Sequence, residues 1–153
     1  MSTASQMAEA EERMSLLRPF PELLREHQSM VYSIALHSLL DRAAAEEIAQ
    51  DVFLELYRHL GELESEAHVL HWLRRVTSNR CIDFVRKRKL RAAVPLEDAP
   101  EPAAKASDSD PFLGRKLWAL VGTLPEAQRV VTVLRYQEEM MPEEIARTLD
   151  MRV

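Results

Sequence analysis

In the stretch HWLRRVTSNRCIDFVRKRK, residues 71–89, Trp72, Arg75, Asn79 and Arg86 follow one another at offsets of three, four and seven. Such offsets return to one side of an α-helix. With Arg75 at zero on a helical wheel, Asn79 falls at about 40°, Arg86 at about 20°, Lys89 at about −40° and Trp72 at about 60°. A face of this composition suits polyanions, because each Lys or Arg that meets a phosphate releases condensed counterions and the planar Arg fork binds an oxyanion at two points. Trp and Asn add what charge alone lacks: an exposed indole can stack on an unpaired base, and a carboxamide can pair with base edges. The combination points to single-strand capture or strand opening. Arg80 and Lys87 complete the candidate nucleic-acid set. The plainer alternative is a solvated helix face with Trp72 folded into the core.

Average charge hides this patch. The chain of 153 residues carries a net charge of −5, yet residues 72–91 hold eight basic side chains against the single Asp83. A concentrated excess of that kind is an electrostatic footprint even in an acidic protein. Asp83, four residues after Asn79 and three before Arg86, is expected to orient one of them, the alternative being a surface pair of little consequence.

A second patch precedes the first. Glu47, Gln50, Asp51, Leu54 and Arg58 share one side of a second helical segment, and a Leu ringed by polar groups is either an ordinary exposed residue or the centre of a partner site. Catalysis finds no support: there is no Gly-rich phosphate loop or nucleophile elbow. His68 and His71 lack the companions of a zinc site, and the acids of the second segment read as a solvated face. Neither an enzyme nor a bound cofactor or metal is expected. The single Cys81 excludes an intramolecular disulfide framework, and no apolar run approaches the ~20 residues that span a bilayer. The N-terminus has neither the basic nor the apolar region of a signal peptide, so a soluble, cytoplasmic protein without membrane insertion is expected.

The elements that carry these patches are helical. Only 3 Gly against 7 Met and many Leu, Ala, Glu and Arg predict an all-α fold. Residues 1–19 read as an N-terminal tail. Residues 20–40 have helical apolar spacing with Pro21 in the first turn. Asp41 is a candidate N-cap for a helix whose Ala45, Ile48, Ala49, Val52, Phe53, Leu56 and Leu60 fall on one face, and Gly61 is the expected C′ residue that ends it. Glu62 to His71 include the loop before a third helix from about Val69 to Lys89, whose packing stripe is expected to be Leu70, Leu73, Thr77, Cys81 and Phe84. Residues 92–111 carry four Pro and several acids and read as a flexible linker. Residues 112–153 predict two helices, the second capped by Thr123 with Pro125 at its first position. Then comes PEEIARTLDMRV, which looks like the first helix and turn of a helix-turn-helix packed through Ile145, Ala146 and Leu149. A short helix closing a bundle is the alternative. The overall expectation is two small helical domains, 20–91 and 112–153, joined by 92–111.

AEEIAQDVFLELYRHL, then HWLRRVTSNRCIDFVRKRK, then an acidic Pro-rich linker, then LPEAQRVVTVLRYQEEMMPEEIARTLDM together resemble the extracytoplasmic-function group of bacterial sigma factors. That resemblance covers about residues 20–153. It implies that residues 20–91 are the domain that docks on core RNA polymerase and opens the −10 promoter element. Glu46, Gln50, Asp51, Val52 and Phe53 match the family's AEDxxQxVF pattern, whose exposed members face the clamp coiled coil of the largest polymerase subunit; the polymerase set is then Glu47, Gln50, Asp51, Leu54 and Arg58. Trp72, Leu73, Asn79, Asp83 and Arg86 match its WLxxxxxNxxxDxxR pattern, which lies against −10 DNA, while the loop at Glu62 to His71 captures a flipped base of the non-template strand. The linker threads towards the RNA exit path, where Glu97, Asp98, Glu101, Asp108 and Asp110 could mimic nucleic acid. An anti-sigma protein that covers these surfaces is a further implied partner. Residues 112–153 look like the −35 domain without its recognition helix, which would start near Arg152 or Val153, so the sequence reads as a truncated or incompletely represented chain. A helix-turn-helix regulator that binds duplex DNA without polymerase, or a helical adaptor or enzyme whose basic helix is only surface, stand as alternatives.

Overall fold

The computed structural model describes residues 2–91 and 111–151, and every regular element among them is helical. They run α1 (Ser2–Leu16), α2 (Phe20–Leu39), α3 (Arg42–His59), a 3-10 turn (Leu60–Glu62), α4 (Glu66–Arg91), α5 (Pro111–Gly122), α6 (Glu126–Thr132), a π turn (Val133–Gln137) and α7 (Pro142–Thr148). The predicted N-terminal tail is thus largely helix α1, which packs on the turn after α3. Its run of Ala, Glu, Gln and Met has high helix propensity without the apolar spacing that would have marked it. Apart from Pro111, the expected linker lies outside the described residues.

Pro21 stands in the first turn of α2, where its missing N–H costs nothing. The helix stops at Leu40, whose φ of 56° puts it in the left-handed region while its N–H donates to the Leu36 carbonyl at 2.8 Å. Asp41 then caps α3 as expected, its Oδ1 accepting the Ala44 N–H at 3.1 Å. So short a connection folds α2 and α3 into an antiparallel pair. Leu23, Val31, Ile34 and Leu39 of α2 meet Ala45, Ile48, Val52 and Leu56 of α3 in the core.

α4 packs across this pair along Val69, Leu73, Thr77, Cys81 and Val85, all buried and spaced by four. A spacing of four advances about 40° per step, so the stripe winds by about 160° along the helix. This winding corrects the expected stripe. Leu70 and Phe84 are only half-buried, while Val69, Ser78 and Val85 are buried, because a fixed face cannot follow a rotating contact. α4 packs on both α2 and α3, and α6 and α7 pack on it as well.

Three boundaries also differ from expectation. Gly61 does not end α3 with a positive φ but sits inside the 3-10 turn. α4 starts at Glu66 because Ser65 Oγ accepts the His68 N–H at 3.1 Å, so much of the expected loop from Glu62 to His71 is helix. Thr123 does not cap α6. Its hydroxyl donates to the Leu120 carbonyl at 2.6 Å, closing α5, and Pro125 precedes α6 rather than opening it.

Beyond α5 the expected long helix breaks into α6 and the π turn, one residue wider per turn than α-helix. α7 forms as read from the sequence, with Glu144 accepting the Met141 N–H at 2.9 Å and Ile145 and Leu149 buried. Val130, Val133, Leu134, Met140, Ile145 and Leu149 join the same apolar cluster as α2–α4.

Candidate functional site

On α4, Arg75, Arg86 and Lys87 are exposed, and none is in an ion pair with another described residue. Asn79 is half-buried beside them. Trp72 is also half-buried: it packs on the core, with its ring 6.0 Å from that of His59 at 42°, so part of the indole is spent on packing and part remains accessible. Asp83 is exposed and makes no hydrogen bond or ion pair with Arg86 or Asn79. It leaves both groups unrestrained rather than orienting one, since two solvated side chains gain little from ordering.

Two members of the basic set are engaged elsewhere. Arg80 forms a salt bridge with Glu55 and lies 3.8 Å from Asp51, both on α3. It therefore joins the two candidate patches rather than standing with Arg75. Lys89 Nζ meets Glu126 Oε2 of α6 at 2.8 Å. Arg74, on the neighbouring side of α4, donates from Nε to Glu138 Oε2 at 3.2 Å and from Nη2 to the Glu138 carbonyl at 3.4 Å. Nothing in the local sequence signals these partners, because they depend on how distant helices pack.

The outward side of α3 is as read. Glu47, Gln50 and Arg58 are exposed, Asp51 is half-buried beneath Arg80, and Leu54 is 56% exposed. Next to it runs a groove of about 930 Å³ between α2 and α3, lined by Phe20, Leu24, Tyr32, Phe53, Leu54 and Tyr57 among others. Tyr57 is 67% exposed and stands edge-on to Phe20 at 5.3 Å. The aromatic floor was missed in the sequence. Tyr57 three residues after Leu54 was its one local signal, and the α2 contribution needed the antiparallel pairing.

Several groups carry shifted pKa values without forming a reactive centre. Burial pushes the Cys81 thiol up to about 12, so it is protonated and inert. Burial also lowers the His27 and His37 imidazoles, with Arg18 adding to the effect at His27 and the Gln137 hydrogen bond opposing it at His37. Burial alone would raise the Glu126 carboxyl, but the Lys89 hydrogen bond, a backbone N–H and the nearby Arg129 together hold it below the ordinary carboxylate range. Among the described residues no three His, Cys, Asp or Glu are grouped to hold a metal, and no helix is long and apolar enough to cross a membrane.

A family model described as Sigma-70 region 2 matches residues 23–91, the span of α2 to α4. The probable RNA polymerase sigma factor RfaY of Xanthomonas campestris pv. campestris is 30% identical over 132 residues, covering 80% of this chain and 32% of its own. ECF RNA polymerase sigma factor SigE of Mycolicibacterium smegmatis is 30% identical over 138 residues, 86% of this chain and 53% of its own. RNA polymerase sigma factor CarQ of Myxococcus xanthus is 31% identical over 128 residues, 82% of this chain and 74% of its own. The chain thus spans about half or less of the length of the first two of these relatives.

Proposed function

Because the chain belongs to the extracytoplasmic-function group of bacterial RNA polymerase sigma factors, we propose that it acts in the cytoplasm as an alternative sigma factor, binding core RNA polymerase and directing −10 recognition and strand opening. The observation that carries this reading is the trio of exposed cations on α4, Arg75, Arg86 and Lys87, none of them in an ion pair with another described residue, beside Asn79 and the accessible part of Trp72. Cations without intramolecular partners give up little when they meet phosphate. A carboxamide and an indole on the same side give the bound strand base contacts that a bare basic helix would lack.

In this reading Arg75, Arg86 and Lys87 hold the backbone of the promoter strand, Asn79 reads a base edge, and Trp72 supports an unstacked base. Arg80 and Lys89 join the strand only when released from Glu55 and Glu126. The segment Glu62 to His71, of which residues 63–65 lie outside helix before α4, takes the flipped base in the same reading. Glu47, Gln50, Leu54 and Arg58 face the polymerase clamp, with Asp51 placed through Arg80. The division into a −10 unit, a linker at 92–111 and a −35 unit belongs to the same proposal, as does an anti-sigma partner that covers the α3 and α4 faces. The chain itself carries no catalytic group in this scheme: polymerase supplies the chemistry.

The test is reconstitution with core RNA polymerase. The chain should co-purify with the core enzyme and support promoter opening; binding of duplex DNA unaided, without core binding, would contradict the proposal. Arg75→Ala and Arg86→Ala should each lower promoter-complex formation and flatten its salt dependence by about one unit of slope per lost phosphate contact. Asn79→Ala should instead erode discrimination within the −10 element, and an equal loss on every promoter sequence would argue against base readout.

A further inference from the structure

Residues 63–65 stand outside helix between the 3-10 turn and α4, and a short segment between rigid flanks can hold a ligand group only as precisely as those flanks are fixed. Both flanks are met by the N-terminal part of the chain. α1 packs on the turn at Leu60–Glu62, just before the segment. Arg18, in the connection between α1 and α2, donates from Nε to Glu66 Oε1, on the first residue of α4 just after it. Its Nη2 donates to Glu26 Oε2 of α2. One guanidinium thus ties the start of α4 to α2, its planar fork spanning two carboxylates as a single ammonium does not. Arg18 belongs to none of the sequence patterns that marked the α3 and α4 faces.

The backbone around Arg18 is itself fixed. Leu17 is buried in the apolar core, and Pro19 has a φ of −55°, so the residue before it is confined to extended backbone. Pro19 also accepts the Glu22 N–H at 2.9 Å where α2 begins. A side chain that leaves so constrained a backbone loses less freedom on meeting its partners. Within the segment, Leu63 is buried and its N–H donates to the Leu60 carbonyl at 3.3 Å, while Glu64 and Ser65 are exposed. The segment is therefore anchored at Leu63 by the core and at its α4 end by Arg18. Glu66 is held ionised below the ordinary carboxylate range, chiefly by the Arg18 hydrogen bond.

We propose that Arg18 is a positioning residue for base capture: by tying Glu66 to Glu26 it fixes the N-terminal end of α4, and with it residues 63–65, against α2. The inference rests on the reading of Glu62 to His71 as the segment that takes the flipped base. Arg18 acts through Glu66 rather than on the base. The side chains of Arg18, Glu26 and Glu66 are 40–48% exposed, so their link adds little to global stability. Its effect is local. Once released from α2, the first turn of α4 frays and the segment samples conformations that do not fit the base, so apparent affinity falls with the fraction that stays competent. Glu66 and Trp72 are six residues apart, about 9 Å along the helix axis, so fraying of that turn stops short of Trp72 and Asn79.

The experiment uses holoenzyme reconstituted from the full chain and core RNA polymerase, with a DNA library whose −10 bubble is premelted and randomised on the non-template strand; bound DNA is sequenced. Loosening the segment directly, by Glu64→Gly combined with Ser65→Gly, identifies the library position it reads. Arg18→Ala should lower base preference at that same position by about three- to tenfold, the loss expected if the competent fraction falls to roughly 10–30%. Preference at the position sensitive to Asn79→Ala should be kept, and the melting temperature should stay within about 2 °C of the parent's. Glu66→Gln should act in the same direction as Arg18→Ala although it removes the opposite charge, and the double variant should lose no more than either single one. If Arg18→Ala weakens binding of every library member alike while Glu66→Gln strengthens it, Arg18 is an electrostatic contact and positioning is overturned. If the Gly pair erodes preference while Arg18→Ala and Glu66→Gln leave it intact, the link is overturned and the capture segment stands. If the Gly pair is itself without effect, the capture reading and the role of Arg18 fall together.

Discussion

Cys81 illustrates how position within one helix decides what a side chain can do. It lies in the stripe that packs on α2, and burial drives its thiol pKa to about 12. Thiolate is therefore scarce at any physiological pH. The native protein should resist iodoacetamide at pH about 8, reacting only at its opening rate, whereas the denatured chain should react at once; rapid labelling of the folded protein, read by intact mass, would show the site to be open. Within two helical turns the opposite holds, since Arg75 and Asn79 reach solvent. The distinction was legible for Leu73, Thr77 and Cys81, whose spacing alone marked them as core. It was not legible for Arg80 or Lys89, because a cation's sequence position says nothing about which acid a distant helix will bring to it.

At the level of the helix, α3 sets the face that carries stability apart from the face proposed for recognition. Leu54 is 56% exposed and lies outside the buried apolar cluster, while Leu73 of α4 is fully buried within it. Leu54→Asp should leave the melting temperature within the change expected of a surface site, about 0.5 kcal/mol, and yet abolish co-purification with core polymerase. Leu73→Ala should cost about 2–5 kcal/mol and lower the melting midpoint markedly. Retained polymerase binding by Leu54→Asp would remove the α3 face from the proposed contact. Amphipathic spacing made α2, α3 and α7 readable in advance, helped by Pro21, Asp41 and Pro142 at their starts. α1 was not, because its residues favour helix without outlining a face. The Ser65 start of α4 was hidden by the acidic, loop-like composition around it.

For the molecule as a whole, acid should act in two stages. His27 lies near Arg18, Glu66 and Arg74, and His37 is enclosed by Ser33, Trp118 and Gln137; both imidazoles are held below the ordinary 6.5. Above that pH both are neutral whether folded or unfolded and contribute no pH dependence. As pH falls through 6.5 the unfolded chain takes up protons that the folded one refuses, so stability declines. Glu66, lowered chiefly by its hydrogen bond from Arg18, and Glu126 contribute stability that is present above the ordinary 4.5 and lost as pH falls through their lower folded values. Urea midpoints should therefore be level above neutrality and fall below pH about 6.5, with His27→Gln and His37→Gln together flattening the upper stage. An unchanged upper stage in that double variant would assign the decline to other groups.

The π turn at Val133–Gln137 sits between α6 and the acidic pair that follows it. One added residue per turn sets everything downstream back by about 100° relative to an uninterrupted α-helix of the same sequence. Gln137, the last residue of that turn, and Glu138, which follows it, face His37 and Arg74. The turn is in effect a phase shifter, and its length sets whether the C-terminal helices present their polar groups to α2 and α4 or to water. Tightening it to α-helical pitch with all its residues kept would rotate Glu138 away from Arg74, whereas deleting one residue from it would restore α-helical pitch and leave the downstream groups in phase.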